Sequence, residues 1–273
     1  MVSSEQRRKQ LAREKYLRQQ QRRQETRRKA RARNVAIAAG AAVVLAASAA
    51  YAATGGLGGE KKDAAADAQP TPSPTAEKEA PDPCDKPAKG QPSGDQWDKE
   101  PAMSIDESAQ YTMTLDSSCG KIDIGMDASK APHTVNSFAF LSEKGYFDHT
   151  SCHRLTTEGI HVLQCGDPTG QGTGGPGYTL PDENLDAEAV ADGTYPAGTV
   201  AMANTGQKHT GGSQFFLVYK DSKLPPSYTP FGTVSDGGMK VLKKIADAGV
   251  QGPGSDGAPV ATMVIDKAEV TKS

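Results

Sequence analysis

Regular alternation of apolar and polar residues begins near Ala109 and continues almost to the carboxyl end of the chain. Tyr111 to Leu115 alternates, and so does Lys121 to Met126, with a glycine-containing stretch from Asp116 to Gly120 between them. Alternating side chains suit a strand with one buried face, and glycine suits a tight turn. The pattern therefore predicts a β-hairpin at the start of a folded domain.

The rest of the domain has the pattern of two helices and several short strands. One helix opens at Ala131-Pro132 and ends near Gly145, and the other spans Met239 to Ala246. The predicted strands are 153–155, 160–164, 199–203, 214–219, 231–234 and 263–270. Short strands, two helices and glycine-rich loops are typical of a closed antiparallel barrel capped by helices. The fold class that we predict is mainly β.

The first 33 residues are strongly basic, with thirteen Lys or Arg against three Glu, and an uncharged apolar run follows at once. A basic tail of this kind suits either nucleic acid or anionic membrane lipid. The apolar run favours lipid, because positive residues beside a membrane span stay on its cytoplasmic side. We therefore expect residues 1–33 to be a cytoplasmic segment that attracts anionic lipid, and we expect no nucleic-acid partner.

The uncharged run, residues 34–53, approaches the roughly 20 residues that cross a bilayer as a helix. Small residues from Ser48 to Ala53 also suit cleavage of a signal peptide, so a secreted protein is the alternative. The long basic lead favours an uncleaved transmembrane signal anchor. Both interpretations place everything after Thr54 outside the cytoplasm. The favoured one is a single-pass protein of the cell membrane with a cytoplasmic N-terminus.

Residues 54–108 have the composition of a flexible tether, rich in Pro, Ala, Gly and charged residues. Such a segment cannot bury enough apolar surface to offset the entropy lost on ordering, so we predict a disordered linker. Cys84 and Trp97 are exceptions that suit packing on the domain. Only residues 109–273 have the apolar content of a core, and we expect one monomeric folded domain there.

Three motifs in the domain suggest other chemistry but lack the required context. Gly170 to Gly175 matches the G-x-G-x-x-G pattern, but prolines flank it where dinucleotide binding needs a strand and a helix. Ser213 lacks the trailing glycine of a nucleophile elbow. A zinc set is suggested by Cys152, His153, His161 and Cys165. Neighbouring strand residues point to opposite faces, however, and the compartment favours oxidised cysteine, so we expect no metal.

A series of sequence blocks, in order along the chain, resembles the signature of the cyclophilin family. The blocks are Ala131–Phe138, Cys152–Leu155, Val162–Asp167, Gly172–Gly175, Ala201–Asn204, Gly212–Phe216 and Phe231–Val234. The similarity spans about Ala109 to Thr271. The resemblance implies an eight-stranded barrel with a substrate groove on its outer face. It also implies peptidyl-prolyl cis-trans isomerase activity.

The same resemblance implies roles for individual residues. Arg154 takes the position of the catalytic arginine. Gln164 and Asn204 take positions that bind substrate backbone. The other implied substrate-binding residues are His153, Val162, Ala203, Gln214, Phe216, Leu224 and Tyr228, with Phe216, Val162 and Leu224 lining the proline pocket.

The chain departs from the family pattern at two points of the pocket. About two extra residues lie between Arg154 and Gln164, so the position of the family's pocket phenylalanine falls near Ile160 or His161. Leu224 or the lysine before it stands where many members have a tryptophan. That tryptophan donates a hydrogen bond to cyclosporin in members that bind the drug tightly. The resemblance therefore implies weak cyclosporin inhibition.

The implied chemistry needs neither a nucleophile nor a cofactor. An X-Pro bond isomerises over a barrier of roughly 18–20 kcal/mol, because the amide must lose its resonance. A fixed guanidinium can donate a hydrogen bond to the lone pair that the proline nitrogen gains in the twisted state. We therefore expect Arg154 to assist isomerisation in unfolded or exported proteins. The alternative is a membrane-tethered scaffold module that binds proline peptides with little turnover.

Four cysteines in a domain outside the cytoplasm predict two disulfides. Cys152 and Cys165 flank the predicted hairpin, and counting outward from its turn places them directly opposite each other, within disulfide range. Cys84 then pairs with Cys119 and closes a loop of about 35 residues. The alternative is four free, buried thiols.

Overall fold

The structure, a computed structural model, describes residues 81–272. The predicted basic segment 1–33, the predicted span 34–53 and the first part of the predicted linker lie outside the described residues. Between residues 81 and 272, no helix has the length and apolar character needed to cross a membrane.

The described chain is mainly β, with two helices, as predicted. The strands are β1 (Tyr111–Ser117), β2 (Gly120–Met126), β3 (Thr150–Ser151), β4 (Arg154–Thr156), β5 (Val162–Cys165), β6 (Thr194–Tyr195), β7 (Thr199–Met202), β8 (Phe215–Val218), β9 (Ser222–Lys223), β10 (Pro230–Val234), β11 (Asp256–Gly257) and β12 (Val264–Lys272). The helices are α1 (Pro132–Glu143), between β2 and β3, and α2 (Asp236–Ala248), between β10 and β11. The predicted hairpin is β1 with β2, paired from Tyr111–Met126 to Ser117–Gly120.

The larger sheet contains ten antiparallel strands in the order β11-β4-β5-β8-β7-β10-β2-β1-β12-β3. The predicted number was eight, and the two-residue strands β3 and β11 extend the order at its two ends. Along the chain, only Cys152 and His153 separate β3 from β4. Because two residues span only a short distance, the sheet must curl so that β3, at one end of the order, lies near β4, which is next to the other end.

The core lies inside the curl of the sheet and is rich in aromatic rings. Phe138 of α1 packs on three other fully buried phenylalanines, with ring centroids 4.6 Å from Phe231, 5.2 Å from Phe147 and 5.5 Å from Phe215. These contacts pack α1 against the core. Burial of such rings stabilises the domain by roughly 25 cal/mol for each Å² of apolar surface removed from water.

Helix α2 begins at Asp236, three residues before the predicted start at Met239. The Ser235 hydroxyl caps the helix by accepting a hydrogen bond from the Gly238 backbone N–H at 3.2 Å. A Cβ added to Gly238 would lie 3.0 Å from the side chain of Ile122, so glycine lets the first turn lie close to β2. Because glycine has a low helix propensity, the sequence pattern did not predict this first turn.

The prediction of a disordered linker is wrong for residues 81–108, which we call the arm. The arm has no regular strand or helix, but it lies along the domain and is tied to it by the disulfide Cys84–Cys119. The Trp97 backbone N–H donates to the Pro176 carbonyl at 2.8 Å, and its ring packs edge-on against Phe140 at 5.1 Å. Cys84 and Trp97, the two residues that the sequence singled out as suited to packing on the domain, supply these contacts.

A histidine–carboxylate pair also holds the arm. Glu100 accepts from His133 Nδ1 at 2.5 Å, and this hydrogen bond raises the pKa of His133 despite the opposing effect of partial burial. A raised pKa in the folded protein means that the pair stabilises the fold fully below the unfolded pKa of about 6.5. The stabilisation is then lost as the pH rises through the folded pKa.

We expect the free energy of unfolding of wild type to exceed that of Glu100→Gln below pH ~6.5, and the difference to shrink at higher pH. Urea titrations over this range, followed by the fluorescence of Trp97, measure it. Lys99→Gln, an exposed change next to Glu100, is the control and should show no such pH dependence. A difference that grows with pH would contradict the assignment.

Candidate active site

Three neighbouring strands, β4, β5 and β8, bring the principal site residues to one face of the sheet. In the β4–β5 ladder Arg154 lies opposite Gln164, and in the β5–β8 ladder Gln164 lies opposite Phe216. Directly paired residues share a face, so these three side chains lie side by side. Val162, two residues before Gln164, shares that face. The register of three strands therefore builds the centre of the site.

A pocket of about 170 Å³ opens on this face. It is lined by Arg154, Ile160, Val162, Gln164, Ala203, Asn204, Phe216, Leu224 and Tyr228. All of these except Ile160 were predicted as site residues. Ile160 was one of two residues expected near the position of the family's pocket phenylalanine, and the structure places Ile160, not His161, in the pocket lining.

The floor of the pocket is apolar and rigidly supported. Phe216 is buried, and Tyr228 packs edge-on against its ring at 5.3 Å. Beneath them lies the fully buried Tyr195, whose hydroxyl donates to the Tyr228 carbonyl at 2.8 Å. Tyr195 was not predicted, because it belongs to the two-residue strand β6, which is too short to show an alternating pattern of apolar and polar residues. The apolar side chains thus form the floor of the pocket, while Arg154, Gln164 and Asn204 are polar members of its lining.

The rim of the pocket carries a chain of polar side chains. Arg154 Nη1 donates to Gln164 Oε1 at 3.2 Å, and Gln164 Nε2 donates to Gln214 Oε1 at 2.9 Å. Gln214 Nε2 in turn donates to the Gly174 carbonyl at 2.9 Å. Each amide is thus held in one orientation by its neighbours. On the opposite side of the pocket, Asn204 Nδ2 donates to the Ser227 carbonyl at 2.8 Å.

The glycine loop that resembled a dinucleotide motif wraps a buried carboxylate. Asp167 is fully buried and accepts from the backbone N–H groups of Thr169 and Thr173 at 2.7 and 2.9 Å. Burial raises the pKa of Asp167, but the hydrogen bond from the Thr169 hydroxyl and those from the backbone together lower it by more, so the net pKa is below the ordinary value. A Cβ on Gly174 would lie only 2.1 Å from the carboxylate, so the loop can close only with glycine there.

A second, larger cavity of about 600 Å³ adjoins the pocket and shares Gln164, Ala203 and Asn204 with it. Its walls include the glycine loop, Gln214 and, from the arm, Gln96. Gln214 therefore lies beside the pocket, at the junction with the second cavity.

His153 is placed differently from the prediction. In the part of the chain that the structure describes, it lines neither the pocket nor the second cavity. Its ring lies beside the glycine loop, where a Cβ on Gly172 would be 3.4 Å from Nε2. Burial lowers the pKa of His153. The residue lies next to Arg154, and successive residues of an extended chain point in different directions, so only Arg154 reaches the pocket.

The guanidinium of Arg154 has a further partner that the sequence did not indicate. Arg154 Nε donates to Asp256 Oδ1 at 2.7 Å, and Nη2 donates to Oδ2 at 2.8 Å. This hydrogen-bonded pairing raises the pKa of Arg154 and lowers that of Asp256. Asp256 lies about a hundred residues away in the sequence and outside the blocks that carry the resemblance.

Both predicted disulfides are present. Cys84 joins Cys119, and Cys152 joins Cys165, leaving no free cysteine in the described chain. The predicted register between Cys152 and Cys165 is wrong by one residue, however. Arg154 lies opposite Gln164, which would place Cys165 opposite His153 if the ladder continued. The bond forms because Cys152 precedes β4, where the chain is no longer bound by the ladder.

The fold and the site agree with the family that the sequence resembles. Residues 111–270 match the model of the cyclophilin type peptidyl-prolyl cis-trans isomerase family, which is more than half of the chain. The chain therefore belongs to this family.

Similar proteins carry the same description. The "Probable peptidyl-prolyl cis-trans isomerase B" of Mycobacterium tuberculosis is 47% identical over 165 residues, which are 58% of this chain and 53% of that protein. Its Mycobacterium leprae counterpart is 45% identical over 166 residues, covering 58% and 56%. The chain thus spans little more than half the length of these curated relatives. A crystal structure of a Cryptosporidium parvum cyclophilin type peptidyl-prolyl cis-trans isomerase aligns with a TM-score of 0.49 and 26% identity, covering 60% of this chain and 99% of that one.

Proposed function

We propose that this protein catalyses cis–trans isomerisation of X-Pro bonds in polypeptide segments. The observation that carries the proposal is a single arginine at the mouth of a proline-sized apolar pocket. Arg154 lines the pocket together with Phe216 and Val162, and Gln164 and Asn204 stand at its rim. Family membership supports the same activity.

The geometry suits preferential binding of the twisted amide. The apolar pocket anchors the proline ring, while polar groups at the rim hold the adjoining backbone. Rotation about the X-Pro bond makes the proline nitrogen pyramidal and basic, so a guanidinium beside it stabilises the twisted state more than either planar state. Of the five N–H donors of Arg154, the described residues engage three, so two remain for a substrate. Arginine stays protonated, so it acts as a fixed donor.

The test is an isomerisation assay on the full chain with a short proline peptide, read by NMR exchange between the cis and trans signals. We expect exchange to accelerate in proportion to protein concentration. The alternative function is a scaffold module that binds proline peptides without turnover. The pairing of Arg154 with Asp256 is the observation that favours it, because a carboxylate competes for the guanidinium. Peptide binding without accelerated exchange would establish that alternative.

The curled sheet is, we infer, a closed barrel. The two-residue link between β3, at one end of the strand order, and β4, next to the other end, supports closure. Closure would hold β4 and β5 at a fixed curvature, and with them Arg154 and Gln164.

We also propose that the domain acts outside the cytoplasm on exported proteins, as a monomer anchored by residues 34–53. The uncharged run after a basic segment supports this, and so do two disulfides, which persist in oxidising compartments. Slow X-Pro isomerisation can limit folding, so exported chains are suitable substrates. The basic segment 1–33 would bind anionic lipid on the cytoplasmic side.

Protease added to intact cells should release a domain that begins within the linker, because that segment would face outward. The fragment's N-terminal sequence identifies the cleavage site. A domain that resists protease in whole cells and is cut after lysis would show the opposite orientation. A mature protein that begins near Thr54 would instead establish the cleaved signal.

A further inference from the structure

The ion pair between Arg154 and Asp256 is built by strand geometry. In the β11–β4 ladder Asp256 lies opposite Thr156, two residues beyond Arg154. Thr156 and Arg154 share a face of β4, so Asp256 and Arg154 are diagonal neighbours on that face. Diagonal neighbours are about 7–8 Å apart at the backbone, within reach of a long side chain. Beyond the ladder, the Thr157 backbone N–H donates to the Ser255 carbonyl at 2.8 Å and fixes the register.

The loop that carries Asp256 is closed at its base. Val250 forms an antiparallel bridge with Pro259, and the Gln251 backbone N–H donates to the Ala258 carbonyl at 2.8 Å. The Val260 backbone N–H donates to the Gly249 carbonyl at 2.9 Å. The carboxylate therefore stands on an ordered platform and not on a free loop tip.

The contacts to Arg154 leave the guanidinium little freedom. Asp256 holds the edge formed by Nε and Nη2, while Gln164 holds Nη1. Two parallel bonds to one carboxylate fix both the plane and the rotation of the guanidinium. Its two remaining N–H donors are therefore aimed by Asp256. Without the carboxylate, the single bond to Gln164 would let the side chain turn.

We propose that Asp256 is a positioning residue for the isomerase reaction, acting through Arg154. The inference rests on the proposed function. The ion pair is too exposed to be chiefly structural, since 39% of the Arg154 side chain and 54% of the Asp256 side chain are accessible. Exposed pairs contribute little to stability, whereas small misplacement of a catalytic group lowers rates strongly.

The test replaces Asp256 by Asn, which keeps the shape and removes the charge. We expect Asp256→Asn to lower kcat/KM by about ten- to a hundredfold, mainly through kcat, with little change in Tm. Asp247→Asn is the matched control, because Asp247 is an exposed carboxylate of α2 paired with Lys243 at 3.1 Å. This control should stay within about twofold of wild type.

A double-mutant cycle separates positioning from a general effect on the fold. In an Arg154→Ala background, Asp256→Asn should have almost no further effect, because its action passes through the missing guanidinium. An equal loss in both backgrounds would overturn the proposal. So would an activity of Asp256→Asn close to or above that of wild type.

An NMR measurement decides the matter even if the protein has no turnover. The Arg154 Nε–H signal should be protected from exchange in wild type and lose protection in Asp256→Asn, while Asp247→Asn leaves it unchanged. Absence of isomerase activity in wild type would refute the proposed function but would not by itself refute the contact between Asp256 and the guanidinium. An Arg154 Nε–H that is equally protected in Asp256→Asn would show that Asp256 does not hold the guanidinium.

Discussion

Arg154→Ala is expected to lower kcat/KM for a proline peptide by about 10²- to 10³-fold, the usual cost of losing one preorganised donor to a developing lone pair. The fold should survive, because the side chain is at the pocket rim and 39% exposed. The free energy of unfolding should therefore stay within about 1 kcal/mol of the wild-type value. Peptide affinity should fall much less than kcat, since the apolar pocket remains.

Arg154→Lys tests whether charge alone is sufficient. Lysine keeps the positive charge but has no planar fork, so it cannot bond Asp256 at two points and Gln164 at a third. We expect activity close to that of Arg154→Ala. Near-normal turnover by a folded Arg154→Ala protein would rule out arginine assistance while leaving peptide binding intact. Full activity of Arg154→Lys would show that a point charge is enough.

The sequence predicted the parts of the fold that have a strong local signal. The β1–β2 hairpin has strict alternation on both sides of a turn, and α1 has proline at its start, so both were found near their observed bounds. The two-residue strands β3, β6, β9 and β11 have no such signal. They form because segments distant in the sequence supply their hydrogen-bond partners. The local pattern of apolar and polar residues contains no information about such partners.

The register of β4 with β5 shows where local counting fails. A register with Cys152 directly opposite Cys165 would put Arg154 opposite Leu163 and turn Gln164 to the other face. The observed register pairs Arg154 with Gln164 and so builds the site. The disulfide still forms, because Cys152 lies before β4 and is free of its alternation. The Cys152–Cys165 disulfide and the Arg154–Gln164 pair are both present, although no single regular ladder contains both.

The site residues missed by sequence reasoning act through other residues. Asp256 contacts Arg154 across a ladder between segments far apart in the chain, and Tyr195 supports the pocket from below. Gln96 lines the second cavity from the arm, which is held on the domain by Cys84, Trp97 and further contacts. The arm precedes the family match at residue 111, so family resemblance could not indicate this contribution.

The disulfide of the arm should contribute strongly to stability. Cys84 and Cys119 are separated by 35 residues. Linking residues that far apart restricts the unfolded chain by about 3–4 kcal/mol, so Cys84→Ser should lower the free energy of unfolding by that amount. Urea denaturation followed by Trp97 fluorescence and by far-UV circular dichroism measures the loss. Trp97 is the sole tryptophan and reports on the arm, whereas circular dichroism reports on the sheet.

Comparison with Cys119→Ser separates the crosslink from packing. Cys119 is buried in the core and Cys84 is only partly buried, so a packing effect would make Cys119→Ser clearly the worse variant. A crosslink effect makes the two variants and the double variant alike, to within about 1 kcal/mol. Isomerase activity should stay near the wild-type value in Cys84→Ser, because the bond lies outside the pocket lining. If Cys84→Ser is as stable as wild type, the arm is held by Trp97 and its other non-covalent contacts, and the disulfide contributes no measurable stability.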